Sequence, residues 1–132
     1  MGRVKIQIDG LKARDVISVR YSFRRQVDAD GQPTSKVLID GIYVRMKSLE
    51  GDGVTEFPEW MCSIFKPKKG KITFFSTQEL QQLKELSFER AYLVYYQESF
   101  DEATGFYEEI EISPKKISIG DAELEELWGD HI

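Results

Sequence analysis

Most of the chain alternates apolar and polar residues with a period of two, which is the pattern of half-buried β-strands. In the first such segment, Val4, Ile6 and Ile8 alternate with polar residues. The second segment has an apolar face made of Ile17, Val19, Tyr21 and Phe23. A third strand is expected over residues 37–47, where Asp40-Gly41 indicates a bulge.

One segment departs from this period and predicts a helix over about residues 55–65. Its apolar residues recur at intervals of three and four, namely Phe57, Trp60, Met61, Ile64 and Phe65. On a helix they form one wide stripe, so we expect these side chains to anchor the helix on the sheet. Thr55 can cap the first turn, and Lys66-Pro67 is expected to end the helix. Cys62 falls beside the stripe, which predicts a half-buried, unreactive thiol.

The strongest strand pattern runs from Leu86 to Phe100, and its centre is apolar on both faces. One face carries Ala91, Leu93 and Tyr95, and the other carries Tyr92, Val94 and Tyr96. A strand that is apolar on both faces is covered on both faces. One face therefore belongs to the core, and the other is expected to meet the helix or a second subunit.

The last long strand is expected over residues 106–119, with a break at Pro114 where the apolar phase shifts. Residues 121–128 fit either a short helix or an extended tail. The complete pattern predicts a mainly β fold in a single domain over residues 1–132. Its form is a small antiparallel β-barrel of about six or seven strands, with one amphipathic α-helix packed outside, because closure protects strand edges best.

Composition and charge limit the class of protein. With 41% hydrophobic and 12% aromatic residues, the chain is typical of a folded protein rather than a disordered one. Residues 1–71 hold 14 basic against 9 acidic residues, and residues 72–132 hold 4 against 14. This asymmetry favours either self-association between unlike surfaces or an averaging of the two halves by antiparallel pairing.

The start of the chain does not have the pattern of a secretory signal peptide, and no apolar run is long enough to cross a bilayer. A single cysteine excludes an internal disulfide. We therefore expect a protein that is made in the cytoplasm and does not insert into a membrane.

No group of residues predicts a catalytic, metal or cofactor site. Asp28-Ala29-Asp30-Gly31 lacks the glycine and glutamate spacing of a calcium loop. Glu108 lies beside Glu109 and Glu111, and the last two are expected to face solvent. His131 has no partners for a catalytic triad. We expect neither an enzyme nor a nucleic-acid binder, and the basic run from Lys66 to Lys71 is interpreted as a solvated loop.

Several segments carry a family resemblance: Tyr21 to Asp28 (YSFRRQVD), Glu59-Trp60-Met61, Leu86 to Val94 (LSFERAYLV) and Lys115 to Gly120 with the later Trp128. Their order and spacing resemble the tube protein of the type VI secretion system. This is the haemolysin-coregulated protein family, in the form found in Bacteroidetes. The likeness covers nearly the whole chain, and its most specific part is the Ser-Phe pair followed by an Asp-rich turn.

The resemblance implies a structural subunit that forms six-membered rings, which stack into a hollow tube inside a contractile sheath. The implied partners are further copies of the chain, the sheath, spike and baseplate proteins, and effector proteins carried in the lumen. The implied route is secretion without a signal peptide.

Two surfaces are expected to serve this assembly. The doubly apolar strand predicts a subunit interface at Tyr92, Val94 and Tyr96. In the related proteins a loop projects toward the next ring, which implies a stacking role for Asp28, Ala29, Asp30, Gly31, Gln32, Pro33, Thr34 and Ser35. Asp28 and Asp30 are expected to meet the basic run from Lys66 to Lys71 of the next ring.

Two alternatives stay open. A phage-like tail-tube protein would share both the fold and the physics. A small-ligand-binding barrel is disfavoured, because barrels that hold a ligand need eight strands and the pattern predicts fewer.

Overall fold

A computed structural model describes residues 3–51, 53–63, 66–76 and 81–125. Within these residues the elements follow in the order β1 (Val4–Ile8), β2 (Arg14–Arg24), β3 (Leu38–Lys47), α1 (Glu56–Cys62), β4 (Lys68–Phe75), β5 (Gln82–Asp101), β6 (Gly105–Ser113), β7 (Lys116–Ile119) and β8 (Ala122–Glu125). Each strand pairs with its neighbours in antiparallel fashion.

The strand order closes into a barrel. The sheet runs β4-β1-β2-β3-β6-β5, and β4 also pairs with β5, so these six strands form a ring. β7 continues along β5 beyond β6, and β8 pairs with β7. The predicted antiparallel barrel is confirmed. Its strands number eight because the chain breaks at Pro114, as expected, and because residues 122–125 are extended; residues 126–132 lie outside the described part.

Side chains fill the barrel interior. Its buried apolar residues include Ile6, Ile8, Ile42, Val44, Met46, Ile72, Leu86, Phe88, Leu93, Ile110, Ile112 and Ile117. Small barrels are filled by inward side chains in this way. Both the six strands of the closed ring and its filled interior argue against a small-ligand carrier.

Bulges change which residues face inward. At the predicted bulge, Ser22 pairs with Gly41 and Phe23 with Ile39, which leaves Asp40 without a partner across the ladder. An earlier bulge in β2 was not predicted: the pairing slips between Val16 and Ser18. Val16 is therefore buried, while Ile17 is 54% exposed. The assignment of Ile17 to the apolar face is wrong, because each bulge reverses the alternation.

The helix is shorter than predicted and ends at Cys62, before Lys66-Pro67. Its seven residues bury Phe57 and Trp60, and it packs against β5. Seven residues make about two turns, which leaves room for one such pair on the buried face. Met61 is 42% exposed and so lies outside that face.

Three further helix predictions have different outcomes. Cys62 is exposed rather than half-buried. Thr55 precedes the helix without a side-chain capping hydrogen bond, and its hydroxyl donates to the Glu59 carboxylate instead. Ile64 and Phe65 lie outside the described residues.

Candidate assembly surfaces

The connection between β2 and β3 extends their ladder as a narrow ribbon. Val27 and Pro33 form an isolated antiparallel bridge. The Asp28 amide donates to the Gln32 carbonyl at 2.9 Å, and the Thr34 amide donates to the Gln26 carbonyl at 2.7 Å. The predicted stacking loop is therefore an ordered, exposed extension with its own backbone hydrogen bonds.

Asp28 organises the tip of this ribbon. Its Oδ1 atom accepts hydrogen bonds from the amides of Asp30 at 2.9 Å and Gln32 at 3.0 Å, as Asp side chains do in turns. Gly31 has φ 82°, a left-handed conformation that glycine adopts without strain. Because Asp28 is used inside the turn, the carboxylate that the tip presents is that of Asp30, which has no partner among the described residues.

The loop and the basic run lie at opposite ends of the barrel. The loop follows Arg24, the last residue of β2. The turn before β2 holds the basic run, because the Asp9 amide donates to the Lys69 carbonyl at 2.9 Å and Lys68 Nζ donates to the Asp9 carbonyl at 3.5 Å. The eleven residues of β2 separate the two by roughly 35 Å, at about 3.3 Å per residue.

Two strand edges lack a neighbour within the described part of the chain. β3 pairs with β2 as far as Arg24, whereas β1 reaches only Arg14 and Asp15 on the other side. β6 pairs with β5 from Tyr92 to Asp101, whereas β4 stops at Ala91 on the other side. Such edges expose unpaired backbone N–H and C=O groups that another chain can pair with.

A bulge divides the residues of the predicted interface. Leu93 pairs with Ile112 and Tyr95 with Glu111, so Val94 is the extra residue. After it the alternation reverses, and Tyr96 packs against the core. Tyr92, Val94 and Tyr96 therefore do not share one face, contrary to the prediction.

Few apolar side chains near this bulge are exposed. Val94 is 46% and Tyr95 43% exposed, and Tyr92 is half-buried. These three residues lie along the open edge of β5. Together with Phe100, which is 62% exposed nearer the end of the strand, they are apolar side chains that this edge offers to a neighbour.

A buried ion pair fastens β2 to β6, and the sequence pattern did not reveal it. Arg14 and Glu108 are 4% and 1% exposed, and the Arg14 guanidinium donates to the Glu108 carboxylate. Arg14 also donates to the Lys47 carbonyl at 3.0 Å and lies 5.2 Å from the centre of the Phe57 ring. The only sequence signal was the spacing of Glu108, which lies two and four residues before Ile110 and Ile112 and therefore on the same, buried face of the strand.

Tyr96 completes this cluster. Its hydroxyl donates to Glu108 Oε2 at 2.8 Å. Burial raises the pKa of Tyr96, and the hydrogen bond to the Glu108 carboxylate raises it further. Each member of the cluster is bonded to another member, so the cluster is suited to holding the end of the barrel together.

The outer face of the β3–β6 ladder is polar, and its charges are partly paired. Glu109 and Glu111 lie there, half-buried, and Glu109 is 3.9 Å from Arg45. The Glu111 carboxylate accepts the hydrogen bond that raises the pKa of Tyr43, and Arg20 stacks 4.0 Å from the Tyr43 ring centre. Among the described residues, no group of His, Cys, Asp and Glu side chains is arranged to hold a metal ion.

The helix found in the described ranges is not long and apolar enough to cross a membrane.

Comparison with solved structures gives close matches in fold. Hcp1 from Flavobacterium johnsoniae is 33% identical, covers 93% of this chain and 98% of its own, and superposes with a TM-score of 0.81. Hcp1 from Salmonella typhimurium, at 13% identity, covers 86% of this chain and 82% of its own with a TM-score of 0.69. No curated protein sequence matches the chain significantly.

A prophage baseplate structure also shares the fold. A chain of the anti-feeding prophage baseplate, described by cryo-EM with six-fold symmetry, is 9% identical, covers 90% of this chain and 93% of its own, and has a TM-score of 0.59. The family model of the Hemolysin coregulated protein Hcp (TssD) matches residues 2–129. The sequence match over nearly the full length and the shared barrel agree, and the chain belongs to the Hcp (TssD) family of type VI secretion tube proteins.

Proposed function

We propose that this tube protein acts as a homohexameric ring in which β2 of one subunit pairs with β5 of the next. The observation that carries the proposal is the pair of open edges, Ser18–Arg24 on β2 and Tyr92–Asp101 on β5. These two edges are the outer edges of one four-stranded section of the sheet, β2-β3-β6-β5. A contact between unlike edges is heterologous, so it repeats around a ring and closes when the rotation allows.

The number of subunits in the ring comes from the family resemblance, and a baseplate structure that shares this fold is itself described with six-fold symmetry. At 9% identity that structure informs the fold alone. The number six is therefore part of the proposal and is the quantity to be measured.

Rings of this kind would stack through the ribbon between β2 and β3. Asp30 at its tip would meet the basic run, Lys66 to Lys71, of the next ring. The opposite placement of these groups on the barrel supports a head-to-tail contact. Each exposed ion pair contributes about 1 kcal/mol or less, but a six-fold ring repeats every contact.

The stacked rings would form a hollow tube that carries effector proteins and contacts the sheath, spike and baseplate proteins of the apparatus. The protein would act without catalysis, and it would leave the cell through the apparatus without a signal peptide. The filled barrel interior and the mutual pairing of Arg14, Glu108 and Tyr96 support a structural role over a catalytic one.

Native mass spectrometry tests the ring. We expect a hexamer for the parent protein and its loss in a Val94→Lys variant, because a charge on an open edge opposes strand pairing. Leu83→Lys is the matched control, since Leu83 is 69% exposed on the same strand but outside the open edge. A parent protein that stays monomeric at high concentration and low salt would contradict the proposed ring.

Electron microscopy tests the stacking. Replacing residues 29–34 by a short Asn-Gly turn should leave rings intact and prevent tubes. An Asp30→Asn variant removes the charge at the tip but keeps the length of the ribbon, so it shows which of the two is needed for stacking. Normal tubes from the shortened variant would exclude the loop as the stacking element.

A further inference from the structure

The hairpin between β5 and β6 exposes two neighbouring aromatic side chains. Phe100 and Phe106 pair directly across the ladder, and their ring centres are 4.8 Å apart. They are 62% and 55% exposed. A lone exposed apolar residue needs no explanation, whereas two large ones in contact at a protruding tip indicate a contact surface.

Acidic residues are the main charged neighbours of the pair along the hairpin, and the exposed Lys47 pairs with Tyr107 beside Phe106. Glu98, Asp101 and Glu102 are exposed, and residues 98–107 contain no lysine or arginine. Asp101 also accepts a hydrogen bond from the Ala103 amide at 2.8 Å, which fixes the turn. A surface that fits this hairpin must therefore be apolar at its centre and basic at its margin.

The base of the loop ribbon has this composition. Val27 is 60% exposed and bridges to the exposed Pro33. Arg25 and Lys36, both exposed, flank the two apolar residues, and the Arg25 side chain donates to the Ser35 carbonyl at 3.1 Å. The hairpin and the ribbon base are thus complementary in both polarity and charge.

The two surfaces cannot meet within one chain. β3 separates them, because Leu38 pairs with Arg24 at the ribbon end and Lys47 pairs with Tyr107 at the hairpin end. The ten residues of β3 place them roughly 30 Å apart. Copies arranged head to tail bring the hairpin of one copy to the ribbon of the next.

We propose that the Phe100–Phe106 pair of one copy packs on Val27 and Pro33 of a second copy in the adjacent ring. Glu102 then lies near Arg25 and Lys36 of that copy. The inference rests on the ring stacking of the proposed function and adds an apolar contact to it. Apolar burial supplies most of the axial affinity, since exposed ion pairs contribute little and chiefly set orientation.

The direct test is a Phe106→Ser variant, because Phe106 lies on β6 and outside the open edge of β5. We expect intact hexamers by native mass spectrometry and at least about a tenfold rise in the ring concentration needed for stacking, measured by light scattering and electron microscopy. Leu83→Ser removes an exposed apolar side chain from β5 and should leave stacking unchanged.

Charge reversal tests the orientation without disturbing the aromatic pair. Glu102→Arg and Arg25→Glu should each weaken stacking, and a protein that carries both should regain part of it. Restoration by the combined variant supports the contact between Glu102 and Arg25.

The outcomes separate this contact from the proposed function. A parent protein without rings contradicts the proposed function itself. Rings of the Phe106→Ser variant that stack as the parent does contradict only this contact. Loss of rings in that variant, with normal stacking of the Glu102→Arg protein, would place the pair within a ring and overturn the axial assignment.

Discussion

The two halves of β5 contain similar residues but have different surroundings. Residues 82–91, the covered half, pair with β4 on one side, and the section from Leu86 to Glu89 also pairs with β7 on the other. Leu86, Phe88 and Ala91 are at most 1% exposed. Residues 92–101, the open half, pair with β6 on one side only, and Val94 and Phe100 are 46% and 62% exposed. Apolar content alone therefore does not distinguish a core strand from an interface strand.

Bulges produce the change between the halves. Arg90 has φ 51°, a conformation uncommon for a residue with a side chain, at the point where the pairing with β4 slips. Val94 is the extra residue of the second bulge. Bulges bend a strand and increase its twist, so β5 leaves β4 and continues alone along β6.

The largest expected effect concerns the helix beside the covered half. Trp60 is 4% exposed, and its Nε1 donates to the Lys66 carbonyl at 2.8 Å. Trp60→Ala should lower the free energy of unfolding by about 3–5 kcal/mol, measured by chemical denaturation. Met61→Ala on the same helix is the control and should cost less than about 1 kcal/mol, because Met61 is 42% exposed. Equal midpoints for the Trp60 variant and the parent would contradict the burial.

The same substitution in each half of β5 measures the difference between them. Phe88→Ala should cost about 3–5 kcal/mol in unfolding free energy, since the ring is 1% exposed. Phe100→Ala should cost no more than about 1 kcal/mol, from its contact with Phe106. Similar losses in the two variants, measured on dissociated subunits, would remove the distinction.

A smaller effect, on the pH dependence of stability, is expected from Tyr96, the residue of the open half whose side chain packs against the core. Its pKa is raised in the folded protein by burial and by Glu108, so the folded state holds the proton more tightly than the unfolded state. This contribution to stability is complete below the ordinary tyrosine pKa of 10.0 and is lost as the pH rises toward the higher folded value. Tyr96→Phe should flatten the fall in stability at alkaline pH, measured by chemical denaturation over a series of pH values.

The smallest expected effect is a change in amide hydrogen exchange along β5. In a dissociated subunit, amide hydrogen exchange should be slow at residues 86–88, which are paired on both sides, and in residues 92–101 only at the amides that point to β6. Assembly into rings should protect the remaining amides of the open half, because a neighbouring strand then covers them. Unchanged exchange there after ring formation would show that the open edge of β5 is not the interface.

The alternation of apolar and polar residues in the sequence predicted much of the fold, and particular residues show where that prediction fails. It located β1 by period alone, and it located the bulge at Asp40-Gly41 and the break at Pro114 because glycine permits unusual backbone angles and proline cannot donate to the ladder. It misplaced Ile17, the extra residue of one bulge, and Tyr96, which follows another, because neither bulge contains a glycine or a proline.

The candidate site was predicted in part. The exposed loop and the basic run were evident from local composition. Their opposite placement depends on hydrogen bonds between Asp9 and Lys69, which are distant in sequence. The open edges of β2 and β5 had no sequence signal, since an edge is defined by the strands that fail to cover it.

The sequence by itself determined the antiparallel barrel with its helix and the family, because strand periodicity, turn chemistry and segment order are local properties of a chain. Only the tertiary structure decided which faces and edges stay uncovered and which polar groups are buried. Arg14 and Glu108 illustrate the reason, since they are 94 residues apart and become a buried pair only when β2 and β6 meet at the barrel end. Burial is a property of such distant neighbours, and no window of sequence contains both of them.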